Sequence, residues 1–274
     1  MIETHAHLNF EDFKDDYTDV LQRSFDNGIK AIINVGSNFK TSQRACEIAR
    51  NYIGKNVYAA IGLHPIHVLD EDFNEEKYKA LIKEYEGLVR AIGETGFDFF
   101  HQEAEEKQKE VFKKHLNLAQ EFSLPVILHS RGGEKEPLKP YLKILEIFES
   151  LSFKPKGVLH CFSAGEEIAE KFLAKGFYIG LGGIITFSTR GESLPALRRG
   201  AGGGKNRKTI EKIPLERIVL ETDSPYLAPE EVRGTRNEPK NLFYIAKKLA
   251  EIKREPLSKI VKITEENAKK LFKI

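Results

Sequence analysis

A chain of 274 residues with 41% hydrophobic and 31% charged side chains carries enough apolar residues for a sizeable core, in one large unit or two small ones. Its formal charge of +2 neither demands nor excludes an anionic partner, so any contact with nucleic acid needs local patches. Two cysteines, Cys46 and Cys161, do not make a disulfide framework, and no run of about 18 apolar residues offers a membrane span. With no basic leader ahead of an apolar run, a cytoplasmic location is the expectation.

In chain order, IETH (2–5) is a short apolar run, followed by IKAIINVG (29–36), NVYAAIGLH (56–64) and LVRAIGET (88–95). LPVILHS (124–130), PKGVLHC (155–161), FYIGLGG (177–183) and RIVLETD (217–223) complete a set of eight buried-strand candidates. Amphipathic stretches lie between them at 15–27, 41–52, 105–122 and 165–176, and two more follow the last strand at 241–252 and 258–274. Strand and helix alternating eight times predicts a (β/α)8 TIM barrel, an α/β fold in a single domain over 1–274. A doubly wound open sheet is the alternative, but no GxGxxG follows the first strand.

RRGAGGGKNRK (198–208) interrupts the pattern. Its glycines argue against a regular helix and for a mobile surface loop, with a cationic arm that guides polyanions as the functional reading.

In such a barrel the polar groups at the C-terminal strand ends converge on the active site. His5 and His7 close the first run, one residue apart, so that on a strand both imidazoles share a face. His64 closes the third, Glu94 the fourth, His129 the fifth, His160 the sixth and Asp223 the eighth. Five of the eight histidines therefore end strands, whereas His101 and His115 are expected on helix surfaces. Taken alone, each residue has a structural explanation as a cap, a turn or a satisfied core histidine. Their shared location is what points to a metal site.

Four imidazoles and two carboxylates are too many donors for one tetrahedral Zn site with an open position. They suit two divalent ions, about 3.5–4 Å apart, that share a bridging carboxylate. Such a donor set accepts Zn, Mn, Co or Ni, and Mg with more reluctance.

These residues stand in an ordered set of motifs: THAHL (4–8), GLHP (62–65), IGETGFDFF (92–100), PVILHSR (125–131), HCFS (160–163), LETDSPYLAP (220–229) and RGTRNEP (233–239). The set resembles the TatD-type metal-dependent deoxyribonucleases of the amidohydrolase superfamily, almost end to end. The resemblance implies that His5, His7 and Asp223 hold one ion, that Glu94 bridges, and that His129 and His160 hold the second. It also implies that Asp223 acts as general base on the attacking water and that His64 orients phosphate or transfers a proton at the site edge. Arg131, Arg233 and Arg236 are expected phosphate contacts. Glu3, where the family usually carries Asp, is expected on the opposite strand face and not to bind metal.

The expected activity is hydrolysis of phosphodiester bonds, trimming single-stranded DNA from its 3′ ends. The same scaffold and donor set also serve an amidase, lactonase or deacylase. A non-catalytic nucleic-acid-binding barrel is a third reading. DNA is the expected partner; neither a membrane nor an obligatory protein partner is called for.

Overall fold

The structure is a computed structural model that describes residues 1–101, 104–187 and 203–274. All eight expected strands form: β1 Ile2–Ala6, β2 Ala31–Val35, β3 Val57–Ile61, β4 Val89–Asp98, β5 Val126–Arg131, β6 Gly157–Leu159, β7 Tyr178–Leu181 and β8 Ile218–Leu220. They make one parallel sheet in which each strand pairs with the next in sequence. This is the order of a (β/α)8 barrel.

Alternating side chains divide the strands between two apolar regions. Ile33, Val35, Ala60, Ala91, Ile127, Val158 and Val219 form one cluster, closed at the strand starts by Ala268, Leu271 and Phe272. Those three belong to the last helix, α9 (Leu257–Phe272), which therefore plugs the N-terminal end of the barrel. The intervening residues, Ile32, Ala59, Ile61, Ile92, Leu128, Leu159 and Ile179, join the larger core beneath the helices.

Six further helices surround the barrel where amphipathic patterns or capping signals call for them: α1 Tyr17–Asp26, α2 Phe39–Asn51, α3 Glu75–Glu84, α4 Glu105–Glu121, α5 Lys139–Glu149 and α6 Glu166–Ala174. In α2 the Asn38 side chain and Thr41 cap one another reciprocally, which fixes where the helix starts. Two more, α7 (Gly203–Lys212) and α8 (Leu242–Lys253), precede α9. No helix among the described residues is long and apolar enough to cross a membrane.

α7 corrects one expectation. The basic glycine-rich stretch at 198–208 is not loop throughout, because helix begins at Gly203; 198–202 lie outside the described residues. Packing overrides the poor propensity of the glycines: Thr209 and Ile210 are buried, and Lys212 pairs with Glu166 of α6.

The seam between β1 and β8 closes differently from the other seven. Among the described residues its only bridge is Ala6 to Ser224, supplemented by Asp223 N–H to His5 O at 2.9 Å and His7 N–H to Ser224 O at 2.8 Å. Side chains complete it. Thr4 Oγ1 donates to Leu220 O at 2.9 Å, and Glu3 Oε1 accepts from both His5 N–H and Thr222 N–H at 2.9 Å. Glu3 is thus not turned away from the site. The register of β1 shifts between Glu3 and Ala6, and the carboxylate enters the seam beneath His5. Burial there pushes its pKa up to about 8, against the pull of those two amides.

Candidate metal centre

The strand ends bring His5, His7, Glu94, His129, His160 and Asp223 to one place, with His64 beside them. His5 belongs to β1 and His7 follows it, and their Nε2 atoms lie 3.2 Å apart. Asp223, three residues past β8, brings Oδ1 to 3.4 Å from His7 Nε2 and 3.8 Å from His5 Nε2. Its backbone is left-handed, with φ of +59°, an unfavourable conformation for a residue with a side chain.

Glu94 does not end its strand as expected. β4 runs on to Asp98, because the pairing with β5 continues to Asp98–Arg131. Gly96 lets this extension pass directly over the His129 carbonyl, where a Cβ would collide. Glu94 therefore lies mid-strand, and its two oxygens face opposite ways. Oε2 is 3.3 Å from His5 Nε2 and 3.9 Å from His7 Nε2. Oε1 is 2.7 Å from His129 Nδ1, 3.4 Å from His64 Nε2 and 3.8 Å from His160 Nε2. His160 also stacks on His5, with centroids 3.6 Å apart, and brings Nε2 to 3.8 Å from Asp223 Oδ1.

A neutral imidazole has one lone pair, and the partner of its other nitrogen decides which nitrogen carries it. His7 Nδ1 faces the Val35 carbonyl at 2.8 Å and His160 Nδ1 faces Glu221 at 3.0 Å, so both present Nε2 as acceptor to the site. His129 is reversed: Nε2 meets Asp98 at 3.0 Å, and Nδ1 is the nitrogen turned inward. His64 differs in kind. Its Nδ1 accepts the Ile66 N–H at 3.2 Å, so in the neutral ring Nε2 carries the proton and donates toward Glu94. The same rule thus separates His64 from His7, His129 and His160.

The electrostatics divide the rings another way, with His5 and His64 lowered and His129 and His160 raised. Burial would raise Glu94, but His64, His160, His5 and His129 hold it well below the usual carboxylate range. Asp223 is lowered in the same way, burial being outweighed by His7, His160 and His5. Burial lowers His5, helped by His160, and takes His64 down to about 4. For His129 and His160 the neighbouring carboxylates override burial and raise the rings to about 9 and about 10. Two ionised carboxylates among converging imidazoles, whose extra protons a bound cation would displace, are a donor set suited to divalent cations. Four groups among the described residues, His5–His7–Asp223, His5–Glu94–His160, His64–Glu94–His129 and His160–Cys161–Asp223, each have ligand atoms within 4.8 Å of one another.

The three expected phosphate contacts fare differently. Arg131 ends β5 with its guanidinium 4.3 Å above the Phe100 ring. Arg233 pairs with Glu230 at 3.2 Å and lies over Phe187. Arg236 is taken up by the fold: it bonds both oxygens of Asp16, the Asp12 carbonyl and Glu238, and covers Phe13. Four hydrogen bonds leave that guanidinium little to offer a phosphate.

Two histidines are also reassigned. His115 does lie on a helix, α4, but it is fully buried and accepts the Leu63 N–H, so it is a core residue and not a surface one. His101 is in the turn after β4, bonded to Asp98.

Sequence reasoning passed over Asp98, Glu221 and Cys161. Cys161 groups with His160 and Asp223, although burial and the nearby carboxylates push its thiol well above the ordinary range. Parity was the available signal for the two acids. Glu221 is two residues before Asp223, and Asp98 four after Glu94, each sharing a strand face with a suspected ligand.

A parallel eight-stranded barrel with imidazoles and carboxylates gathered at its C-terminal mouth is the architecture of a metal-dependent hydrolase. The model of the TatD related DNase family matches residues 2–273, and the chain belongs to that family. It is 34% identical over 275 residues to the metal-dependent hydrolase YabD of Bacillus subtilis, covering 100% of this chain and 99% of that one. It is 31% identical over 280 residues to the 3′-5′ ssDNA/RNA exonuclease TatD of Shigella flexneri, covering 100% and 99%. The crystal structure of the TatD homologue YjjV from Escherichia coli K12 superposes with a TM-score of 0.83 at 30% identity, covering 100% of this chain and 98% of that one.

Proposed function

We propose that this metal-dependent hydrolase is a two-cation phosphodiesterase that trims single-stranded DNA from its 3′ ends. The observation that carries the two-cation reading is the division of Glu94, with Oε2 toward His5 and His7 and Oε1 toward His129 and His160. That is the disposition of a carboxylate shared by two ions. In this reading His5, His7 and Asp223 hold one and His129 and His160 the other. The nucleic-acid substrate is supported by the name of the Shigella relative.

When bound, the ions supply positive charge against the phosphate oxygens and acidity to the attacking water. Asp223 accepts the proton of that water, and its depressed pKa keeps it ionised for the task. Side-chain exposures of 14% at Asp223 and 16% at His129, against 1–5% at the other ligands, mark the side from which the phosphate enters. The Arg131 guanidinium receives a phosphate oxygen there. His64, uncharged near pH 7, orients the phosphate through Nε2–H. Phe10, stacked on His7 at 4.3 Å, and the half-exposed Tyr226 give the bases aromatic faces.

The test is degradation of end-labelled single-stranded DNA by metal-stripped protein after adding back Mg, Mn or Zn, beside Asp223→Asn. We expect metal-dependent laddering from the 3′ end, reduced about 100-fold or more in the variant. Uptake of two ions without any cleavage would overturn the phosphodiesterase reading in favour of hydrolysis at a carbonyl.

A further inference from the structure

Asp98 is fully buried at the end of β4, and its carboxylate stands directly behind His129, with Oδ2 3.0 Å from Nε2. Oδ1 accepts the amides of Phe100 and His101 at 3.0 and 2.9 Å, which fixes the turn that follows. The Asp98 backbone is held in turn by Gln108 of α4, itself buried. Gln108 Oε1 accepts the Asp98 N–H and Nε2 donates to the Asp98 carbonyl, both at 3.0 Å. A continuous set of hydrogen bonds therefore runs from the outer helix layer to the distal nitrogen of His129, Nε2.

A second carboxylate stands behind His160, in ion-pair contact without the aligned hydrogen bond that Asp98 makes to His129. Glu221 is buried inside the barrel, 3.0 Å from His160 Nδ1, and accepts the Cys161 N–H. It fits there because position 180 is glycine: a Cβ on Gly180 would lie 2.6 Å from Glu221 Oε2. The other pair of imidazoles lacks such support. His7 leans on the neutral Val35 carbonyl, and the carboxylates that approach His5 do so at Nε2, on the inward side of the ring.

We propose that Asp98 is a positioning residue that makes Nδ1 the ligand nitrogen of His129, and that Asp98 and Glu221 together give the His129–His160 half of the centre the tighter cation affinity. The inference rests on the two-cation reading and adds to it an order of loading. A carboxylate accepting from the distal N–H fixes the ring and its tautomer and makes the ligating nitrogen more basic. Its charge also adds to the attraction for a cation. Both effects act on one half of the centre alone.

The experiment is titration of metal-stripped protein with Zn2+ against a competing chelator, for the wild type, Asp98→Asn, Glu221→Gln and His101→Gln. The wild type should take up two equivalents of unequal affinity. Asp98→Asn, whose side-chain oxygen can still accept the two turn amides, should weaken the tighter equivalent by about 10–100-fold and leave the other unchanged. Glu221→Gln should do the same, and it decides the matter if Asp98→Asn fails to fold. His101→Gln should match the wild type. Unchanged affinities in both carboxylate variants would overturn the inference, as would equal weakening of both equivalents. A wild type that binds a single equivalent would overturn the two-cation reading and this inference with it.

Discussion

What an imidazole does at a metal centre depends on the partner of its far nitrogen, and His64 shows this by contrast. The amide of Ile66 occupies its Nδ1, which leaves Nε2 protonated 3.4 Å from Glu94. On the proposed reading His64→Ala keeps the full complement of bound ions while kcat falls about 100-fold. Elemental analysis beside steady-state kinetics measures both. Loss of one ion would instead make His64 a ligand. This distinction was not legible in the sequence, where His64, His129 and His160 each end an apolar run in the same way. Nor was the fate of Arg236, whose partner Asp16 lies 220 residues away. The metal-donor residue types were legible, because they break apolar runs at strand ends; their hydrogen-bond partners were not, because those come from other elements.

Among the elements, the strands were the most readable. Strands buried on both faces become continuous β-branched runs, and all eight were found. Three helices were not. α3 and α5 carry the expected apolar spacing, with Tyr78, Leu81 and Ile82 in one and Tyr141, Ile144, Ile147 and Phe148 in the other, but sit in highly charged surroundings. α7 opens on glycines, and only its downstream packing makes it a helix. The closing seam was also invisible, since it depends on a register shift in β1. There Glu3 takes the place of a strand carbonyl for two buried amides. Glu3→Ala leaves both without an acceptor and should cost about 2–4 kcal/mol in urea unfolding. Glu3→Gln retains an acceptor oxygen and should cost much less. Equal losses in the two variants would show that the seam does not depend on this acceptor.

The molecule as a whole combines a plugged, apolar lower barrel with an upper end crowded by ionisable groups. Buried carboxylates and imidazoles are costly to hold together, and a cation that binds only the folded centre offsets that cost. At about 100 times its dissociation constant, one such ion adds about 2.7 kcal/mol, or roughly 5–10 °C in Tm for a chain of this size. Chelation should therefore lower Tm by that order and re-addition restore it, as calorimetry would record. An unchanged Tm would mean that the cations bind weakly or not at all.

The β1–β8 seam has a consequence for synthesis. Thr4 and Leu220, which it joins, are 216 residues apart, so the first strand waits for the last before the barrel can close. A nascent chain still short of β8 already carries His5, His7, Glu94, His129 and His160, yet has neither the closing strand nor Asp223. On the proposed reading, hydrolytic competence arrives only once β8 and Asp223 have been made. On that reading no partly synthesised chain still short of them cleaves DNA.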